Sequence, residues 1–402
     1  MRGGLRRVSA GSALARGLAM TVLAGAAALA GCAQVPPGAQ PPVEAATWSV
    51  PAGPGPALTP VDFAQVPGWT TDKAAQALPA FLASCDQMAS APAQQLGGQG
   101  EAAARGGTPA QWQASCAAAR AVPPGDDAAA RSFFEAAFQP FGLSSDGSAQ
   151  GLFTGYYEPE VAGARAPGGI YRYPIYRRPA DLPPGRATPY FSRADIEAGA
   201  LNRKRLELLW LADPIDVFFL HIQGAGRIRL PNGQIVRVSY DGQNGQTYVP
   251  IGRVLVDRGE MTLDQVSMQT IRGWLVSHPE QAREVMNQNP SYVFFREVNG
   301  VSADVGPPGA LGAPLAPGRS VAVDKGYIPL GAPLWIDTLD PLDGSKMRRV
   351  MVAQDLGGAI RGPVRADIFF GWGKEAEERA GRMRQQGIAF LFLPKASQTA
   401  AR

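Results

Sequence analysis

In the stretch VAQDLGGAIRGPVRADIFFGWG, residues 352–373, two aspartates flank a loop of glycines and lead into an aromatic run. Asp367 stands just ahead of Ile368, Phe369, Phe370 and Trp372, an apolar context of the kind that makes a carboxyl hold its proton more tightly. Free aspartate titrates near about 3.9, so an acid–base catalyst working near neutrality needs such a shift, from burial or from a like charge such as Asp355. Gly357, Gly358 and Gly362 allow a tight turn and a close backbone approach to a ligand. Taken alone, the same residues also describe a strand-end aspartate that caps a turn.

Other polar groups recur on glycine-rich or aromatic segments. Thr154-Gly155-Tyr156-Tyr157-Glu158 puts two rings beside hydroxyls, a combination suited to lying against sugar faces, or else a pair of buried strand tyrosines. Gln223-Gly224-Ala225-Gly226 and Tyr240-Asp241-Gly242-Gln243-Asn244-Gly245 offer amides on turns, which fits a neutral polysaccharide. Asp324, after SVAV, reads either as a salt-bridged strand end or as a group facing substrate. Asp337, Asp340 and Asp343 read as turn residues around PLDG, and His221, between apolar neighbours, as a core histidine. With 2 histidines and 3 cysteines in the chain, no zinc-ligand spacing exists.

The elements that must position these groups begin after a leader. Residues 1–31 have a basic start, a short apolar stretch and small residues before Cys32, the pattern of a secretory signal rather than a membrane span. Leu29-Ala30-Gly31-Cys32 resembles the lipobox of bacterial lipoproteins, and Ala33, where an inner-membrane retention signal would carry aspartate, implies the periplasmic face of the outer membrane. The chain carries 38 Lys+Arg against 34 Asp+Glu, and four of those arginines leave with the leader. A near-neutral mature chain argues against a nucleic-acid partner.

Residues 32–60 read as a Pro/Ala/Gly-rich spacer, with folding beginning near Val61. Helical patterns dominate residues 61–150. Cys85 and Cys116 fall in two of these helices, and in an oxidising compartment they read as one disulfide, with two buried thiols as the alternative. From Gly151 the runs GLFTGYYEP, YRYPIYRRP, DVFFLHIQG and RIRLPNGQIVRVSY read as strands. A helical stretch follows, then VFFRE, SVAVD, PLWIDT, RRVMVAQD, ADIFFG and IAFLFLP as a second strand set. KEAEERAGRMRQQG reads as one surface helix ending at Gly387.

Val323-Asp324 with Ile328-Pro329-Leu330-Gly331, then Gln354-Asp355-Leu356-Gly357-Gly358-Ala359-Ile360-Arg361-Gly362, then Ala366-Asp367-Ile368 resembles the three-aspartate (3D) domain of secreted murein-acting proteins. Joined to GLFTGYYEP, HIQGAGRI, SYDGQNGQTYVPIG, SMQTIRGWL and NPSYVFF, it is similar to the membrane-bound lytic murein transglycosylase A family over most of residues 150–395. The resemblance implies a mainly β fold with N-terminal helices: a double-psi β-barrel built from two segments, residues 61–150 and 286–396, with a β-barrel-like domain inserted at 151–285 as one wall of a substrate groove.

It also implies non-hydrolytic cleavage of the MurNAc-GlcNAc bond of peptidoglycan, leaving 1,6-anhydro ends, by an outer-membrane lipoprotein without metal or organic cofactor. Asp367 matches the catalytic aspartate, with Asp355 beside it. Thr154, Gly155, Tyr156, Tyr157, Gln223, Gly224, Tyr240, Asn244, Asp324, Gly357 and Gly358 would bind glycan. Two rival readings remain open: a hydrolase in which Asp355 or Glu158 activates water, and a non-catalytic murein-binding lipoprotein. Protein partners are not legible in the sequence.

Overall fold

A computed structural model describes residues 46–182, 189–300, 302 and 304–395. The leader, Cys32 and the spacer up to residue 45 lie outside the described residues. Three strands come first, β1 (Pro56–Pro60), β2 (Phe138–Ser145) and β3 (Gly151–Glu158). Six belong to a separate sheet: β4 (Glu160–Ala164), β5 (Tyr173–Tyr176), β6 (Glu207–Leu211), β7 (Ala225–Arg229), β8 (Ile235–Gln243) and β9 (Val293–Val298). The last five, β10 (Ser320–Val323), β11 (Pro333–Leu339), β12 (Lys346–Leu356), β13 (Arg365–Trp372) and β14 (Arg384–Pro394), rejoin the first three.

In that first sheet, β14-β11-β12-β10-β13-β3 closes into a six-strand barrel through an additional β14–β3 pairing. Two of the six contacts, β10–β12 and β3–β13, are parallel, and the others are antiparallel. The early part of β14 pairs with β3 and its later part with β2, which carries β1 outside the ring. Closure depends on two glycines in register, Gly151 and Gly387. A Cβ on Gly151 would come within 2.0 Å of the Val364 carbonyl oxygen, and one on Gly387 within 2.4 Å of that of Asp337. Gly387 therefore serves strand approach; the helix before it stops earlier, at Gly373–Arg382.

The N-terminal helices cover this barrel, sharing with it a core that includes Phe81, Trp112, Phe134, Phe138, Trp335 and Phe390. Two buried polar anchors fix them. Arg319 donates to both oxygens of Asp72 at 2.8 and 2.9 Å, and Gln354 donates to the Ala80 carbonyl and the Ser84 hydroxyl, each at 2.9 Å.

The fold is mixed α/β, with more strand early and more helix late than the patterns imply. Part of the expected spacer belongs to the fold, because Trp48 is buried against Phe390 and β1 extends the sheet. DVFFLHIQG is not a strand; it lies in the helix Pro214–Gln223. Its residues from Val217 to His221 are all buried, so no polar stripe reveals the period, but Asp213 caps the Ile215 N–H at 2.8 Å and Gly224 ends the helix in the left-handed region. Expected boundaries also move: β3 belongs to the barrel ring, and the second sheet runs on to Val298. The order of that sheet is β5-β6-β4-β7-β8-β9, and among the described residues its end strands share no ladder.

Among the described residues no helix is long and apolar enough to cross a membrane. Cys85 and Cys116 are joined in a disulfide between the helices Leu78–Ser90 and Gln113–Arg120, across a sequence separation of 31. A closed loop of this size stabilises by about 3–4 kcal/mol. The Cys85→Ser/Cys116→Ser protein is expected to lose about 3 kcal/mol of unfolding free energy in a urea titration, while Cys85 and Cys116 of the intact protein take up no alkylating reagent unless first reduced.

Candidate active site

The strand registers set the two aspartates in one row. Thr154 on β3 faces Asp367 on β13, Asp367 faces Ala322 on β10, and Ala322 faces Asp355 on β12. Side chains at one level of neighbouring strands point to the same side, so the carboxyls share a face, their Cα atoms about 10 Å apart across the small Ala322. Asp355 thus stands beyond β10, not directly across the glycine loop.

Asp367 is half-buried and accepts from the Thr154 hydroxyl at 2.6 Å. That hydroxyl in turn accepts from Arg365 at 2.9 Å. Burial raises the pKa of Asp367, while the Arg365 charge and the Thr154 hydrogen bond pull the other way. Arg365 was not anticipated, although strand alternation puts residues i and i+2 on one face.

Asp355 has the opposite kind of setting. One oxygen accepts the N–H groups of Ala310 and Leu356 at 2.9 Å each, and the other accepts the Tyr156 hydroxyl at 2.8 Å. Burial raises its pKa, these three donors lower it, and the charge of Asp367 adds to the rise. Burial and the neighbouring Asp355 push the Tyr156 phenol far up, so it remains a donor. Gln354, locked to the helix Leu78–Ser90, fixes β12 one residue before Asp355.

These groups open on a cavity of about 800 Å³ between the barrel and the second sheet. Thr154, Tyr156, Asp355, Gly357, Gly358 and Asp367 line one wall, and Gln223, Gly224 and Tyr240 the other. Tyr240 keeps 48% of its surface exposed, and its N–H donates to the Gly224 carbonyl at 2.7 Å. Gln223 accepts the Tyr157 N–H at 3.1 Å. Tyr248, also unanticipated, lines the cavity close enough for Asp367 to add to the rise in its pKa that burial causes.

Four expected ligand groups are used by the fold instead. Asn244 is fully buried, donating to the Phe191 and Pro290 carbonyls and accepting from the Tyr292 N–H. Asp324 accepts from the Gly326 and Gly362 N–H groups at 3.0 Å each, neither as a salt bridge nor as part of the cavity wall. Gly155 packs under a helix, where a Cβ would lie 2.5 Å from the Phe370 ring. Tyr157 reaches the cavity edge, but its ring is buried against Ala376 and Ala380, and burial with the nearby Glu377 charge pushes its phenol pKa up.

His221 behaves as a core residue at the cavity floor. Its Nδ1 lies 3.0 Å from Arg193, and burial with that charge holds its pKa well below the usual range, leaving the ring neutral. Glu158 cannot activate water, since it is 0% exposed and bonded to Arg227 at 2.9 Å and to Arg237 at 3.0 Å. Among the described residues no group of three or more His, Cys, Asp or Glu could hold a metal ion.

Comparison with known proteins places this geometry. Residues 152–296 match the MltA specific insert domain and residues 319–393 the 3D domain. The membrane-bound lytic murein transglycosylase A of Escherichia coli (strain K12) is 39% identical over 275 residues, covering 67% of this chain and 72% of that protein. A membrane-bound lytic murein transglycosylase from Agrobacterium tumefaciens superposes with TM-score 0.72 at 35% identity, over 84% of this chain and 98% of the other. E. coli MltA with bound chitohexaose superposes with TM-score 0.63 at 30% identity, over 85% and 92%.

Glu158→Gln leaves two buried guanidinium groups without their counter-charge, so stability is expected to fall by about 3–5 kcal/mol. Urea unfolding measures this. Turnover per folded molecule should persist, and its loss in protein that remains folded would return Glu158 to the list of catalytic candidates.

Proposed function

The chain belongs to the membrane-bound lytic murein transglycosylase A family, whose members cleave peptidoglycan, and from that premise we propose a reaction run by Asp367 alone as acid and base. Asp367 gives its proton to the oxygen that links N-acetylmuramic acid to N-acetylglucosamine, and the bond from that oxygen to the muramyl anomeric carbon breaks. The muramyl 6-hydroxyl attacks the same carbon and passes its proton to the Asp367 carboxylate, so the group is restored and no water is consumed. The products are a free 4-hydroxyl and a 1,6-anhydromuramyl end.

One observation carries this reading over hydrolysis: both oxygens of Asp355 are already taken by three donors. With three donors already on its two oxygens, the carboxylate has little room left to orient and deprotonate a water molecule. We assign Asp355 an electrostatic part, as a charge that helps Asp367 keep its proton, and not a proton-transfer part. Thr154, backed by Arg365, steadies the carboxylate that Asp367 becomes.

For the substrate, the chitohexaose held by the E. coli relative supports an N-acetylated glycan strand in the cleft, against Tyr240, Gln223, Gly224, Gly357 and Gly358. The crossing of two parallel strand pairs supports reading the barrel as double-psi. We read residues 61–150 and 286–396 as the body that carries the chemistry and 151–285 as the inserted wall, with the structural limits of the wall at Glu160 and Val298. The lipobox resemblance at Cys32, with the membrane-bound naming of the relatives, supports an outer-membrane lipoprotein facing the periplasm.

Two experiments test this. Asp367→Asn keeps the volume and removes the transferable proton, so murein binding is expected to persist while anhydro-muropeptide release falls by at least ~10²–10⁴-fold. Asp355→Asn should keep more activity. Asp367 must be protonated at the start, so its pKa sets the alkaline limb of the rate profile, and removing the adjacent negative charge moves that limb to lower pH. Products heavier by one water, or equal loss in both variants, would favour the hydrolase. Separately, Cys32→Ser is expected to yield exported protein that fractionates without detergent; retention in the membrane fraction would count against the lipid anchor.

A further inference from the structure

Two turns at the end of the catalytic row are tied to each other by one carboxylate. Asp324 accepts the N–H of Gly326 with one oxygen and that of Gly362 with the other, at 3.0 Å each. Beside each tied glycine is an exposed cation, Lys325 in the first turn and Arg361 in the second. Both line the cavity. The first turn is also held from behind, where the Lys325 carbonyl accepts the Gly98 N–H at 2.7 Å. Neither cationic side chain has a hydrogen bond or ion pair among the described residues, and Asp324, with its oxygens on backbone N–H groups, forms no ion pair with either. On the facing wall, Arg296 is 4.0 Å from Asp241 and so is partly compensated.

Two uncompensated cations, held in place by a dedicated clamp, are of little use to the uncharged sugars of a glycan backbone. Charge enters that polymer through the substituent on the muramyl lactyl group, a short acidic peptide with free carboxylates. Cleavage at the muramyl anomeric carbon brings that sugar to Asp367, and Lys325 and Arg361 follow in chain order from the strand ends that carry the Ala322 and Asp355 positions of the row. We propose that Lys325 and Arg361 form a subsite for the carboxylates of this peptide, making the enzyme prefer peptide-bearing over peptide-neutral glycan. The inference rests on the murein-cleaving reading for its substrate.

The test compares murein strands with free peptide carboxyls and the same strands with those carboxyls converted to carboxamides. Binding is measured on an Asp367→Asn background, which removes turnover from the readout, and cleavage on the otherwise native protein. Free-carboxyl strands are expected to bind roughly fivefold or more tightly, as for a pair of rim ion pairs, with the advantage shrinking at high salt. In a Lys325→Gln/Arg361→Gln protein the ratio between the two substrates should fall towards one, and in cleavage the change should appear in KM more than in kcat. An unchanged ratio, or equal losses on both substrates, would overturn the subsite. Failure of the native protein to release anhydro products, with the binding preference intact, would instead strike the reaction and leave the subsite standing.

Discussion

The parallel pairing of β3 with β13 is the constraint on which the rest of the molecule depends. It joins residues 213 apart in sequence, Thr154 and Asp367, across the whole of the second sheet. Such long-range closure is entropically costly and must be repaid by burial, here by the barrel core and by the glycine contact of Gly151 with Gly387. Once the pair has formed, three consequences follow without further adjustment. The barrel closes, Thr154 meets Asp367, and the chain leaving β3 is launched into the inserted sheet from a fixed point. That launch point is Glu158, whose burial between Arg227 and Arg237 fixes the first turn of the insert to its own strands.

Two half-buried carboxyls on one face would repel each other, yet the surroundings divide them into unlike groups. Asp355 is held by three hydrogen-bond donors, whereas Asp367 has one hydroxyl donor with the Arg365 charge behind it, and burial raises the pKa of both. Placing both on barrel strands, and not on loops, holds their separation to the strand spacing. The aromatic residue Tyr156 contributes on both sides. Its ring packs on Phe369, within the apolar cluster under Asp367, while its hydroxyl serves Asp355.

What the sequence made legible was chemistry with local grammar. The two aspartates, Gly357 and Gly358 between them and the threonine of TGYYE are all visible as motifs, and all line the cavity. What stayed hidden was how hydrogen bonds are spent. Asn244 and Asp324 carry the same polar atoms on the same glycine-rich turns as true cavity residues do, but their partners are backbone groups brought near by the fold. Gly155 looked like a ligand approach and is a packing contact. The helix Pro214–Gln223 was lost because burial on most sides erased its amphipathic period, although its caps were readable. Arg365 could have been found from alternation alone; its link to Thr154 required the register of a strand far away in the chain.

The width of the groove rests on few contacts. Gln223, at the end of a helix in the insert, accepts the N–H of Tyr157, three residues along the strand from Thr154. Gly224 follows it, and its carbonyl receives the N–H of Tyr240, whose ring faces the cavity. A single path therefore runs from the exposed ring, through the capped helix end, to the strand that carries the partner of Asp367. Because Gln223 spends its carbonyl oxygen on this path, its part in the groove is first to set the distance between the walls. The ring of Tyr240 is thereby referred to β3, the strand paired with the one that carries Asp367, so its placement relative to that carboxyl is decided by backbone register and not by the flexibility of a loop.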